Sequence, residues 1–251
     1  MTKKAQEEQA AETRVATRND VPEYIKQGGA RGSEAVEQED LIIPRLEIIQ
    51  SLSPARKKDK PEYIEGAEEG MLFNTVTREL YGTEVFIVPV MFLKEYLLWI
   101  NRDAGGGFRG AFKTREEAAR RSAEVSEAHE IVDTAEHLCL LINGDSVEEV
   151  MISMSRSKMK VSRNFNSLVR ILKGDRFSHV YKVITVLEKN QRGEFFNFKI
   201  SEVGVPSREI YLLAEQLYED VASGTKKVQA DRSEEERGGD TTAGAVAEDR
   251  F

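Results

Sequence analysis

Runs of apolar residues, several of them alternating with polar ones, fill the middle of the chain. Residues 71–77 (MLFNTVT) and 84–100 (EVFIVPVMFLKEYLLWI) are rich in β-branched and aromatic residues, which favours strands over helices. Pro89 lies inside the second run and has no backbone N–H. We therefore predict either two strands there, or one long bent strand with Pro89 at an edge or a bulge.

Two hairpins are predicted further along the chain. HLCLLI (137–142) is followed by Asn143-Gly144, a pair favoured in tight turns, and VEEVMISMS (147–155) is the return strand. SHVYKVITVLEK (178–189) and EFFNFKI (194–200) are separated by a short polar turn and are expected to pair in the same way.

Three helices are predicted between and after these strands. Thr114 with Glu117 three residues later has the pattern of a capping box, so a polar surface helix is expected to begin there as an insertion. Apolar residues at helical spacing within 157–173 predict a second helix, which Gly174 ends. An amphipathic third helix is expected over 207–223.

The order of these elements predicts an α+β fold that is mainly β. Three strands, a helix and two more strands is the order of an OB-like barrel, whose helix connects the third and fourth strands. We predict one such domain over residues 41–224, carrying the surface helical insertion and the C-terminal helix. Residues 1–40 and 225–251 contain few large apolar residues and are expected to be a disordered arm and a disordered acidic tail.

Composition narrows the class of protein. The chain has 251 residues, 40% hydrophobic and 32% charged, with a net charge of −8. No apolar run is long enough for a transmembrane helix, and the first residues lack the apolar core of a secretory signal. Cys139 is the single cysteine and the three histidines are not at metal-ligand spacing, so we expect no disulfide, no metal and no cofactor. The expected location is a reducing cytoplasm, without a membrane partner.

No motif for catalysis is present. The chain has no phosphate-binding loop, no dinucleotide-binding glycine pattern, no H-E-x-x-H and no G-x-S-x-G. Glu116-Glu117 and Glu148-Glu149 are adjacent pairs whose side chains point apart, as on a solvated surface. Cys139 lies in an apolar run and is interpreted as a small core residue. We therefore predict that the protein is not an enzyme.

Charge and aromatic residues concentrate together in residues 151–200. This block has eleven Lys and Arg against three Asp and Glu, in a chain that is acidic overall. Cations that follow phosphates and rings that stack on unpaired bases are the two requirements for binding single-stranded DNA. The candidate DNA-binding residues in the block are Arg156, Lys158, Lys160, Arg163, Arg170, Lys173, Arg176, Phe177, Tyr181, Lys182, Phe196, Phe198 and Lys199. Tyr96 and Trp99, in the earlier strand region, are further stacking candidates.

The aromatic residues of the block have a second interpretation as core. Phe165 falls at helical spacing with apolar neighbours, and we expect it to be buried. For Phe177, Tyr181 and the cluster at 195–198, stacking and burial both remain open. Phe196 and Phe198 are two residues apart and therefore share one side of their strand.

The tail is a candidate for binding partner proteins. Glu248 and Asp249 precede the aromatic Phe251, although Arg250 interrupts the acidic run. An acidic tail that ends in an aromatic residue can bind replication or recombination proteins, and it can compete with DNA for a basic groove.

Three segments resemble one family of tailed-bacteriophage proteins. They are PRLEIIQSLSP (44–54), IEGAEEGMLFNTVTRELYG (64–82) and FSHVYKVITVLEKNQRGEFFNFKI (177–200), and the resemblance covers about 40–205. Members of that family are described as single-stranded DNA-binding proteins of the replication or recombination module. The resemblance implies an OB-like core, cooperative sequence-independent binding of single strands and no catalysis, but it assigns no individual DNA contact.

Two other functions stay open from the sequence. The first is a strand-annealing recombination protein or an accessory factor for one, which would also be basic and aromatic in one region. The second is a structural or host-interaction protein without a nucleic-acid role. The sequence leaves open whether the chain forms a homo-oligomer and whether it prefers DNA or RNA.

Overall fold

The structure is a computed structural model that describes residues 32–36, 41–144, 146–190, 193–228 and 230–232. The chain divides into two units, residues 1–40 and 41–251. Of the first unit, a turn over 32–36 is described, in which the Val36 N–H donates to the Ser33 carbonyl at 3.1 Å. Most of the predicted disordered arm, and residues 233–251 with the candidate partner-binding residues Glu248, Asp249 and Phe251, lie outside the described residues.

The second unit has an α+β fold that is mainly β. Its elements, in chain order, are β1 (Leu46–Ile48), β2 (Leu72–Asn74), β3 (Leu80–Gly82), β4 (Glu84–Ile100), β5 (Phe108–Phe112), α1 (Arg115–Ser122), β6 (His129–Asn143), β7 (Ser146–Ser155), α2 (Met159–Leu172), β8 (Val180–Asn190), β9 (Gly193–Gly204) and α3 (Arg208–Ala222). Single 3-10 turns occupy Pro54–Arg56, Arg102–Ala104 and Arg156–Lys158. No helix in the described part of the chain is long and apolar enough to cross a membrane.

The strands form two antiparallel sheets. The small sheet has the order β1-β2-β3, and the large sheet has the order β7-β6-β4-β8-β9. Strand β4 pairs with β6 along almost its whole length, while its other edge is shared between β8 near Glu84 and β5 near Tyr96. The prediction of one long strand with Pro89 at a bulge is confirmed, because the register with β6 shifts between Pro89 and Met91. A proline fits there because a bulge removes the need for one ladder hydrogen bond.

Each side of the large sheet is covered by a different layer. One side packs against α2 and the small sheet, through buried residues that include Cys139, Ile152 and Phe165. The other side packs against α3, where Leu217 contacts a cluster that contains Leu138. Cys139 is a buried free thiol, as predicted, and burial raises its pKa to about 12.

The predicted caps and turns of the helices are present. The Thr114 hydroxyl accepts from the Glu117 N–H at 3.2 Å, and the Glu117 carboxylate accepts from the Thr114 N–H at 3.2 Å, which confirms the capping box. Within α1 itself Ala118 is the buried residue, so this helix lies on the surface as expected. The Ser207 hydroxyl accepts from the Ile210 N–H at 3.3 Å and begins α3.

The strands do not form a closed barrel. In the described ranges β7 and β9 are the two ends of the strand order and do not pair with each other. Helix α2 follows the seventh strand, not the third as predicted, although it does lie between the two predicted hairpins. The count was wrong because β1 and β3 are only three residues long and β5 only five, too short for a periodic pattern.

Order also extends beyond the predicted domain end at residue 224. Ala230 forms a parallel bridge with Ile43, and the Asp231 N–H donates to the Ile43 carbonyl at 2.9 Å. The Arg232 guanidinium pairs with Glu95 and, at 3.1 Å, with Glu136. Residues 230–232, here called the C-terminal strap, are therefore packed on the domain and are not part of a disordered tail.

Candidate nucleic-acid interface

Helix α2 presents a basic surface because its apolar positions, apart from the exposed Ile171, pack against the core. Ser162 and Phe165 are buried under it, and no acidic residue occurs between Arg156 and Gly174. The residues of α2 that remain exposed, here called the α2 face, are Lys160, Arg163, Asn164, Ser167, Arg170 and Ile171. At 1.5 Å per residue the 14-residue helix is about 21 Å long. The structure therefore brings several of the sequence-predicted cations onto one surface.

Most cations of this surface are not neutralised by a neighbouring acid. Lys160, Arg163, Arg170 and Lys173 are exposed, and no carboxylate within the described ranges forms an ion pair with any of them. Arg156 differs, since it pairs with Glu130. Cations without a carboxylate partner keep their charge available for a polyanion.

Lys158 lies at the start of α2 in a less polar setting. Its ammonium is 5.0 Å from the centre of the Phe198 ring. Burial lowers the pKa of Lys158, Glu47 acts in the opposite direction, and Arg45 adds to the lowering. This cation is therefore half-buried at the junction between α2 and β9 rather than projecting into solvent.

Arg176 lies between α2 and the large sheet and contacts residues of both. Its guanidinium is 2.8 Å from Nδ1 of His137 and lies over the rings of Phe92 and Phe165, at 5.6 and 5.5 Å. Nε2 of His137 is 2.9 Å from the Ser162 hydroxyl of α2. Burial, reinforced by Arg176, lowers the pKa of His137 to about 3, so the imidazole is neutral at pH 7. Arg176 was predicted to contact DNA, but its contacts fix the helix in place.

The two remaining predicted cations lie on the last hairpin. Lys182 on β8 pairs with Glu84 at 2.8 Å and lies 5.8 Å from the centre of the Phe86 ring. Lys199 on β9 is exposed. Since β9 contacts α2, Lys199 is on the strand next to the basic helix.

Three of the predicted stacking residues are in the core. Phe177, Tyr181 and Phe198 are 5%, 0% and 2% exposed. Phe177 packs against Tyr211 with ring centres 5.1 Å apart, and Tyr181 packs against Phe165 at 5.0 Å. A base cannot stack on a ring whose faces are covered, so the burial interpretation holds for these three. Phe165 is buried, as expected.

The other stacking candidates are half-buried and lie apart from each other. Tyr96 and Trp99 are in the half of β4 that pairs with β5, where the Trp99 and Phe108 ring centres are 5.3 Å apart. Phe196 is on β9, and its backbone N–H and carbonyl are both bonded to the Gln50 side chain. The structure does not bring these rings together on the α2 face.

A cleft beside Phe196 contains residues that sequence reasoning did not select. It has a volume of about 270 Å³ and is lined by Gln50, Ser51, Glu69, Leu187, Glu194, Phe195 and Phe196. Leu187, directly opposite Phe196 on β8, is 57% exposed. The sequence singled out the aromatic cluster at 195–198, which forms part of this cleft. No sequence pattern indicated that residues 50, 51 and 69 fold onto that cluster. Among the described residues, no three His, Cys, Asp or Glu side chains form a group that could hold a metal ion.

Comparison with known proteins places the chain in a protein family. The model of a family described as Pam3 phage gp34-like protein matches residues 9–227. No curated protein and no solved structure matches the chain. The match spans most of the sequence, including every strand and helix described above. The resemblance to phage proteins is thereby confirmed at the level of a phage family, and the chain belongs to the Pam3 phage gp34-like protein family.

Proposed function

We propose that this protein binds single-stranded DNA, without sequence preference, in the replication or recombination of phage DNA. The observation that carries the proposal is the α2 face, an acid-free helical surface on a protein of net charge −8. A local basic surface on an acidic protein binds a polyanion at one place while the rest of the molecule repels it.

The α2 face has the chemistry of a phosphate-binding surface. Lys160, Arg163 and Arg170 supply charge, while Asn164 and Ser167 supply hydrogen-bonding groups of the kind that contact phosphate and sugar. Arg176, His137 and Ser162 hold the helix against the sheet, so these groups are presented on a fixed scaffold.

The proposal also includes the type of fold and a role for the C-terminal tail, both of which were predicted from the sequence. The hairpin–helix–hairpin order supports an OB-like origin for the domain, although the sheet is open. The acidic tail with Glu248, Asp249 and Phe251 is proposed to dock replication or recombination proteins.

The proposal is tested by titrating fluorescent oligonucleotides with the full-length protein. We expect single-stranded DNA to bind more tightly than a duplex of the same length, and binding of both to weaken as salt rises. Single-stranded RNA is included to establish the sugar preference. Absence of binding to every oligonucleotide at low salt would refute the proposal and favour a structural or host-interaction role.

A further inference from the structure

The α2 face carries no aromatic side chain, so it offers nothing on which an unpaired base can stack. Its exposed residues are cationic, polar or aliphatic. Phosphate contacts of this kind are made equally well to single strands and to duplexes, because both expose the backbone. If the proposed function is correct, selection of single strands must come from another surface near α2.

The cleft at the end of the β8–β9 hairpin is close to α2 along strand β9. Phe196, which lines the cleft, is two residues from Phe198 on the same side of β9, which corresponds to about 7 Å along a strand. At Phe198 the Lys158 ammonium, from the turn that begins α2, lies over the ring at 5.0 Å. A strand of nucleic acid on the α2 face can therefore reach the cleft within a short distance.

The walls of the cleft are held in place by hydrogen bonds between distant parts of the chain. Nε2 of Gln50 donates to the Phe196 carbonyl at 2.9 Å, and its Oε1 accepts from the Phe196 N–H at 2.8 Å. The Thr185 hydroxyl donates to the Gly70 carbonyl at 2.6 Å. Gly70 has φ +82°, and a Cβ there would lie 2.7 Å from the Phe196 ring, so only glycine allows this approach. The cleft is thus preformed.

The lining combines an apolar surface with hydrogen-bond acceptors. Leu187 and Phe196 are apolar and partly open to solvent, while Glu69 and Glu194 contribute carboxylates. Each carboxylate already faces a cation, since Glu69 pairs with Arg56 and Glu194 lies 3.6 Å from the Lys189 ammonium. These pairs offset the negative charge that would otherwise repel a nucleotide, and they leave two exposed cations beside the cleft.

We propose that this cleft receives one unpaired base of a strand bound on the α2 face; the inference rests on the proposed function. The base stacks on Phe196 and contacts Leu187, the cross-strand neighbour of Phe196 on the same side of the sheet, as bases do on aromatic platforms. Glu69 and Glu194 accept hydrogen bonds from exocyclic amino groups, the contact that carboxylates make with cytosine N4. Arg56 and Lys189 face the adjacent phosphates. The cleft therefore selects single strands and favours cytosine or adenine over thymine.

The test compares Phe196→Ala with Phe86→Ala, a matched control because Phe86 is an exposed ring on another strand. Wild type and both variants are titrated with oligo-dC, oligo-dT and a duplex of equal length. Phe196→Ala should weaken oligo-dC binding by about tenfold, within the range for losing one stacked base. Its duplex affinity, and every affinity of Phe86→Ala, should equal that of wild type. Leu187→Ser, at a 57% exposed position, repeats the test without removing a ring.

The base preference is tested separately with Glu69→Ala/Glu194→Ala. Removing two acids raises the affinity for every strand, so the measured quantity is the ratio of oligo-dC to oligo-dT affinity, which should fall toward one. Salt-dependent binding of single strands by wild type, with the affinities of Phe196→Ala and Leu187→Ser unchanged, would overturn this inference while the proposed function stands. A second result would also overturn this inference: the variants bind DNA like wild type, and the cleft captures a cationic peptide. That result would assign the cleft to a protein partner. Failure of wild type to bind any strand would refute the proposed function itself.

Discussion

At the scale of single residues, burial separates aromatic side chains that hold the fold from those open to a ligand. The sequence places Phe196 and Phe198 on one side of a strand, but it cannot show that α2 covers Phe198. Phe198 lies in a core cluster with Phe165 of α2 and Leu46 of the small sheet, and the Lys158 ammonium lies over its ring; all three are distant from Phe198 in the chain. Phe165 was predictable because its helical spacing is local information, whereas the burial of Tyr181 depends on long-range packing.

Phe198→Ala should destabilise the fold by about 3–5 kcal/mol, the cost of removing a fully buried phenylalanine ring. Phe198 is 2% exposed, whereas Phe86, the matched control, is 39% exposed, so Phe86→Ala should cost much less. Urea unfolding followed by circular dichroism measures both. Equal free energies of unfolding for the two variants would show that Phe198 is not in the core.

Glu136→Gln should make stability more sensitive to acid. Burial raises the pKa of Glu136 to about 7, although Arg232 and Ser153 act in the opposite direction. The stability that the protonated carboxyl contributes is present below about pH 4.5 and is lost as pH rises toward 7. His137, whose pKa burial lowers to about 3, contributes stability that is present above about pH 6.5 and is lost as pH falls.

In wild type, acidification from about pH 6.5 to 4.5 increases the stability contributed by Glu136 and decreases that contributed by His137, so the two changes oppose each other. Glu136→Gln removes one of them, so its free energy of unfolding should fall more steeply on acidification than that of wild type. Urea titrations at intervals from pH 4.5 to 7.5 measure this. Parallel pH profiles for wild type and variant would mean that Glu136 is ionised throughout.

At the scale of elements, strong local patterns were predictable and short or polar elements were not. The capping box of α1, the bulge at Pro89 and the Ser207 start of α3 follow from residues close in sequence. Strand β6 begins at His129, eight residues before the predicted start, because its first half is polar and pairs in an extension of the sheet. The glycine-rich stretch 105–110 (GGGFRG) has the composition of a loop, yet strand β5 begins at Phe108, since pairing with β4 outweighs the flexibility of the glycines.

The C-terminal strap is an element that the sequence does not reveal. Ending the chain at Arg232 should leave the free energy of unfolding unchanged. Ending it at Gly224 should lower that free energy by about 1–3 kcal/mol, because the buried Glu136 carboxyl then loses its Arg232 hydrogen-bond partner. Thermal and urea unfolding of the two truncated proteins measure the difference. Equal stability of both would show that the strap adds nothing to the fold.

At the scale of the whole molecule, opposite charges are separated along one chain. Residues 233–251 carry six acidic and two basic residues, in contrast to the acid-free α2 face. If the tail competes with DNA for that face, ending the chain at Arg232 should tighten DNA binding at low salt. The gain should vanish at high salt, because the attraction is screened beyond about 8–10 Å near physiological ionic strength. Identical titrations of full-length and truncated protein at low salt would exclude competition.

The central claim is that the cations of the α2 face bind the phosphate backbone, and the salt dependence of affinity tests it most directly. Lys160, Arg163 and Arg170 are replaced together by Gln. Lys113, Arg120 and Arg121, exposed on and beside α1, are replaced by Gln as a control of equal charge. For each protein, the logarithm of the affinity for single-stranded DNA is plotted against the logarithm of salt concentration. The α2 variant should lose about 2 units of slope, at about 0.7 per phosphate contact, while the α1 variant keeps the slope of wild type. An unchanged slope in the α2 variant, or an equal loss in both, would contradict the assignment of the α2 face as the binding surface.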